Sequence, residues 1–123
     1  MGTQNLTFAD FESTVTENPI VLVDFWAAWC GPCRTFAPTF EAASAKHDSI
    51  VFGKVDTEAE RDLAQTARIS SIPTLMAFRD GILVYSQPGV LRAPDLDRLI
   101  EQVEKLDMDA VRSQLATQQT AGA

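Results

Sequence analysis

Trp29-Cys30-Gly31-Pro32-Cys33 decides how this chain is read, because it holds both of the chain's cysteines and sets them with two residues between. Thiols at that spacing close a small disulfide ring and reopen it without moving the rest of a fold, so the pair suits a redox cycle better than a structural staple. Upstream, Ile20-Val21-Leu22-Val23-Asp24-Phe25-Trp26 is an apolar run without alternation, the pattern of a strand buried on both faces of a parallel sheet. Downstream, Phe36, Ala37, Phe40 and Ala43 recur at helical spacing. The cysteines therefore fall on a strand-to-helix turn, with Cys30 at the helix N-terminus. Unpaired N–H groups and the helix dipole favour negative charge there and lower a thiol's pKa, which makes Cys30 the expected nucleophile.

The rest of the chain bounds what such a pair serves. With 123 residues, 46% of them apolar, the sequence suits one domain with a single core. A formal charge of -7 with no basic cluster argues against nucleic acid or an anionic membrane surface as partner. No apolar run approaches the ~20 residues that span a bilayer, and the N-terminal residues lack the basic and apolar regions of a signal peptide. The expected location is cytoplasmic.

Periodicity and turn residues divide the chain into elements. Thr7 followed by Asp10 reads as a helix N-cap with an acidic first turn, Phe8, Phe11 and Val15 give that helix an apolar face, and Asn18-Pro19 ends it. Ile50 to Asp56 reads as the next strand, Ala59 to Ala67 as a short helix carrying Leu63 and Ala67, and Ile69 to Pro73 as the return. Thr74 to Phe78 and Ile82 to Ser86 flank Arg79-Asp80-Gly81, a strong hairpin signal, so these two strands are expected to be antiparallel. Pro94 starts the last helix, with Leu96, Leu99, Ile100 and Val103 on one face. Beyond Leu106 the apolar face is interrupted by Asp107, although Val111 and Leu115 leave room for the helix to continue. The expectation is fraying after about Leu106 and disorder from Thr117, giving a domain at 1–109 and a partly disordered C-terminal extension at 110–123.

The segment from Val23 to Arg34 resembles the active-site segment of the thioredoxin family. Lys54-Val55-Asp56 is similar to that family's third strand, Ser71-Ile72-Pro73-Thr74 to its cis-proline loop, Phe78-Arg79-Asp80-Gly81 to its final hairpin turn, and Gly89 to the glycine beside its active site. The likeness runs from about Leu6 to Val103. It implies an α/β thioredoxin fold, a central five-stranded mixed sheet flanked by four helices. It also implies a protein-disulfide reductase, in which Cys30 and Cys33 form the redox disulfide.

The resemblance further assigns roles that composition alone would not. An acid at the end of an apolar run reads first as a surface residue, but the matching aspartate in thioredoxins is buried beneath the second cysteine. Asp24 is accordingly expected to have a raised pKa and to take the proton of Cys33 through a water. Lys54 alone reads as an edge or snorkelling lysine. With its strand beside that of Asp24, its ammonium would tune the carboxylate. Pro73 is expected to follow a cis bond that turns the Ile72 backbone toward Cys30 for pairing with a substrate strand. Trp29, Gly31, Pro32, Ile72, Pro73, Gly89 and Val90 would form the client-binding surface, with Trp26 as packing. Gly31-Pro32 carries no charge to stabilise the reduced pair, which favours a reductant over an oxidant. Arg34 stands where many thioredoxins have lysine and preserves the charge.

Zinc wants four ligands, and the other soft candidate, His47, stands without a companion near the end of the helix, so no metal is expected. No glycine-rich nucleotide fingerprint and no third cysteine are present, so no bound cofactor is expected either. The resemblance implies that electrons arrive from NADPH through a flavin-containing thioredoxin reductase, and that the other partners are client proteins bearing disulfides, met by a monomer. Two rival readings remain: a thiol oxidase or isomerase, and a binding module whose partner uses the docking surface regardless of redox state.

Overall fold

A computed structural model of the chain describes residues 2–121, with side chains to residue 118. The elements run β1 (Thr3–Asn5), α1 (Phe8–Glu17), β2 (Ile20–Trp26), α2 (Gly31–Lys46), β3 (Val51–Asp56), α3 (Arg61–Thr66), β4 (Thr74–Arg79), β5 (Ile82–Pro88), α4 (Ala93–Glu104) and α5 (Met108–Ala121). The strands form one mixed sheet in the order β1-β3-β2-β4-β5. β1, β3 and β2 are parallel, and β4 and β5 are antiparallel to their neighbours. The unalternating apolar run of β2 is explained by its central place, since both of its faces are covered. Leu22 packs with Phe36 and Phe40 of α2 and with Leu96 and Ile100 of α4 on one side. Val21, Val23 and Phe25 pack with Val15 of α1 and Leu63 of α3 on the other.

Local chemistry sets the boundaries of the elements. The Thr7 N–H donates to the Asp10 carboxylate at 2.7 Å, and the Phe8 N–H donates to Glu60 at 2.9 Å, satisfying donors at the start of α1 that have no partner within the helix. Asp80 and Gly81 both have positive φ, 53° and 79°, so the Asp-Gly pair turns β4 into β5 as the sequence implied. The fifth strand is β1, a polar Thr-Gln-Asn segment without an apolar pattern. It is held by backbone pairing to β3, so its side chains need not be buried.

The helix count differs from expectation, five rather than four, because the chain beyond Leu106 is helical. Asp107, read from sequence as an interruption, is where the new helix begins. Its carboxylate accepts the Ala110 N–H at 3.2 Å and its carbonyl accepts the Val111 N–H at 3.1 Å, as an N-cap residue does. Met108 is buried, and Arg112 reaches Asp80 of the hairpin turn at 3.7 Å. Residues 117–121, expected to be disordered, belong to α5, while Gly122 and Ala123 of that stretch lie outside the described residues.

Candidate active site

β2 and α2 build the site between them. The strand delivers the chain to the turn at Ala27, and Cys30 is the N-cap of α2, with Pro32 in the first helical turn, where a missing N–H is tolerated. Cys30 and Cys33 are joined in a disulfide with their Cα atoms 5.2 Å apart. The Cys33 N–H points at Cys30 Sγ, 3.2 Å away. In the dithiol state that donor and the α2 N-terminus favour a thiolate on Cys30. Both cysteines are buried as whole residues, but only Cys30 lines the surface depression beside the motif.

That depression, about 420 Å³, has Trp29, Cys30, Gly31 and Pro32 on one wall and Ile69, Ser70, Ser71 and Ile72, with Thr57 and Ala64, on the other. Trp29 is 67% exposed, an unusual position for an indole. The Ile72-Pro73 peptide is cis, as the resemblance implied, and the Ile72 carbonyl oxygen lies 3.7 Å from Cys30 Sγ. The loop is fixed by Thr74 Oγ1, which donates to the Ser71 carbonyl at 2.6 Å, and by the Gly89 N–H, which donates to the Pro73 carbonyl at 2.8 Å. The fold thus brings Trp29, Gly31, Pro32 and Ile72 together around Cys30. Gly89 joins them through Pro73, and Val90, 40% exposed, lies outside the depression. Thr57, Ala64, Ile69 and Ser70 were not anticipated. Ile69 and Ser70 adjoin Ser71-Ile72-Pro73 in sequence, but nothing local marks Thr57 or Ala64, which only the packing of β3 and α3 against the motif brings there.

Asp24 lies in the body of β2, six residues before Cys30, rather than at a surface end. It is fully buried, and neither carboxylate oxygen has a hydrogen-bond partner among the described residues. Burial pushes its pKa from an ordinary 3.8 up to about 6, against the opposing pull of the Lys54 ammonium. Asp24 and Lys54 are register partners across β2 and β3. Lys54 Nζ sits 4.9 Å from the centroid of the Trp26 ring, so the ammonium acts on the carboxylate without capping it. Arg34 Nη1 donates to the Ala28 carbonyl at 2.9 Å and ties the helix to the turn before it. His47 stands at the C-cap of α2, half-buried, with its ring stacked 6.3 Å from that of Phe52. Among the described residues no helix is long and apolar enough to cross a membrane.

Comparison with known proteins agrees with this geometry. The sequence model of the family described as Thioredoxin matches residues 2–113. A putative thioredoxin 2 of Streptomyces coelicolor is 53% identical over 118 residues, covering 96% of this chain and 88% of that one. Thioredoxin-1 of Saccharomyces cerevisiae is 40% identical over 81 residues, covering 66% of this chain and 79% of that one. Among solved structures, a thioredoxin of Plasmodium falciparum superposes with a TM-score of 0.75 at 35% identity, over 81% of this chain and 98% of that one. A mutant thioredoxin of Halobacterium salinarum gives 0.76 at 30% identity, over 85% and 91%. With a cysteine pair at disulfide distance on the first turn of α2, the chain belongs to the thioredoxin family of thiol-disulfide oxidoreductases.

Proposed function

We propose that this oxidoreductase works as a reductant of protein disulfides, with Cys30 as attacking thiol, Cys33 as resolving thiol and Asp24 as the base that serves Cys33. The observation that carries the reading is the asymmetry of the pair: Cys30 lines a surface depression at a helix N-terminus, and Cys33 is buried behind it. The Cys30 thiolate attacks one sulfur of a client disulfide, forming a Cys30–client bond and releasing the other client sulfur as thiolate. Cys33 then gives up its proton and attacks Cys30 Sγ, closing the Cys30–Cys33 bond and expelling the second client thiolate, so that two electrons pass to the client. Cys33 has little access to solvent bases, and Asp24, held near pKa 6 by burial, takes the proton through a water near neutral pH. Lys54 tunes that carboxylate.

Trp29, Gly31, Pro32, Ile72 and Pro73 receive the client strand at the mouth of the depression, with Gly89 and Val90 extending the surface beyond the cis-proline loop. The uncharged Gly31-Pro32 supports reduction over oxidation as the working direction. The electrons come from NADPH through a flavin-containing thioredoxin reductase, with no cofactor bound to this chain, and the protein acts in the cytoplasm as a monomer. An assay coupling NADPH and thioredoxin reductase to a model protein disulfide tests donor, direction and turnover together. NADPH oxidation that depends on the chain and on both cysteines is expected, and none above the reductase alone would overturn the reading. A Cys30→Ser, Cys33→Ser double variant that kept the biological role would favour the binding module instead.

A further inference from the structure

Asp24 and Trp26 lie two residues apart on β2 and so share a face of the sheet, and Lys54 stands opposite Asp24 on β3. A buried carboxylate, an indole ring and an ammonium thus form one group. The ammonium is placed on the ring, 4.9 Å from its centroid, and both carboxylate oxygens lack hydrogen-bond partners among the described residues. A lysine stem is flexible and its head strongly hydrated, so a half-buried lysine at this position extends to water unless something retains it. The π face of Trp26 is such a restraint.

Among the described residues, other elements bring no competing charge to the carboxylate; Glu60, which lines the same recess as Lys54 and Trp26, accepts the Phe8 N–H at 2.9 Å. The register partner of Asp24 on β4 is Leu75. The side chains that α2 and α4 pack onto this face include Phe36, Phe40, Leu96 and Ile100, none of which ionises, and the buried Cys33 of α2 ionises only when reduced. Asp56, two residues beyond Lys54 on β3, is engaged with the N–H groups of Glu58 and Ala59 at 2.9 and 3.3 Å. Lys54 is the charge that acts on Asp24.

We propose that Trp26 is a positioning residue: its ring holds the Lys54 ammonium beside the β2–β3 seam and so keeps a compensating charge next to the Asp24 carboxylate. The link to catalysis rests on the reading of Asp24 as base for Cys33. An aliphatic side chain at position 26 offers the ammonium no ring face and frees it to swing outward, leaving desolvation of the carboxylate unopposed. Asp24 then holds its proton to higher pH, and fewer molecules carry the ionised base near neutrality.

The test is the carboxyl titration of Asp24 by carbon-13 NMR in the oxidised protein, where the cysteines do not titrate. Trp26→Leu should raise the midpoint by about half a pH unit, a fraction of the ~1–3 units that a close opposite charge produces. Trp26→Phe, which restores a weaker ring face, should give a smaller rise. In a Lys54→Met background Trp26→Leu should add nothing. A midpoint unmoved by Trp26→Leu, or a rise of the same size with and without Lys54, overturns the proposal. Should Trp26→Leu not fold, Trp26→Met decides by the same criterion. The pH profile for resolution of a mixed disulfide, measured on the same variants, should move with the midpoint. A midpoint that moves while the profile stays fixed upholds the positioning of Lys54 and overturns Asp24 as base.

Discussion

Replacing Asp24 by Asn should stabilise the protein and do so only above a definite pH. The carboxyl is fully buried, and its pKa rises on folding from 3.8 to about 6. Folded protein therefore binds the proton more tightly than unfolded protein does. The stability associated with the protonated group is fully present below pH 3.8 and is lost as pH climbs through about 6, because the unfolded chain ionises freely and the folded one does not. A rise of about two units at about 1.4 kcal/mol each puts the loss near 3 kcal/mol at pH 7.5 and above. Asn carries no charge to desolvate and escapes that loss, though its amide is still buried without an identified partner, so part of the gain is offset. Urea unfolding of the oxidised wild type and of Asp24→Asn at pH 4 and pH 7.5 measures the difference directly. The variant should be more stable by about 2–3 kcal/mol at the higher pH, and that advantage should largely vanish at the lower. A difference that is the same at both pH values would refute the argument, because it would come from packing rather than from ionisation. If Asp24 also serves Cys33, the variant should slow resolution of the mixed disulfide toward the low end of the ~10²–10⁴-fold that general base catalysis supplies.

Cys33→Ser should accumulate disulfide-linked clients through Cys30, visible as new bands on a non-reducing gel; their absence would count against Cys33 as the resolving thiol. In the reduced protein Cys30, which lines the depression, should alkylate much faster than Cys33, and equal rates by mass spectrometry would remove the basis for naming Cys30 the nucleophile. Gly53→Ala should destabilise by about 1–3 kcal/mol in chemical denaturation, because the added methyl would run into the Leu6 side chain that lies buried against it; a neutral result would mean that Leu6 repacks freely. Deleting residues 117–123 should leave the melting temperature within about 4 °C of the full chain, whereas deleting 108–123 removes buried Met108 at about 2 kcal/mol, the exposed Arg112 pairs adding little. Equal melting temperatures for the two truncations would show that α5 does not dock through Met108.

The sequence determined the parts of this protein whose signals are local. Two cysteines with two residues between them can close a ring wherever they lie, a seven-residue apolar run must be covered on both faces, and Asp-Gly takes the positive φ values that a tight hairpin demands. The helices carrying Phe36 and Phe40, and Leu96 to Val103, were legible because burial imprints its period on apolar residues. The failures were also local in cause. Asp107 read as a break because hydrophobic spacing does not distinguish a polar interruption from a cap, and polar β1 has no spacing to read. Asp24 shows the limit most plainly, since an acid in an apolar run is compatible with a strand end at the surface, and the family likeness rather than the residue pattern pointed inward. Only the packing of α2 and α4 over β2 shuts the carboxylate from water, and only the register of β2 against β3 sets Lys54 opposite it and within reach of the Trp26 ring. The depression beside Cys30 likewise exists because segments distant in sequence meet there, a closeness that no periodicity along the chain encodes.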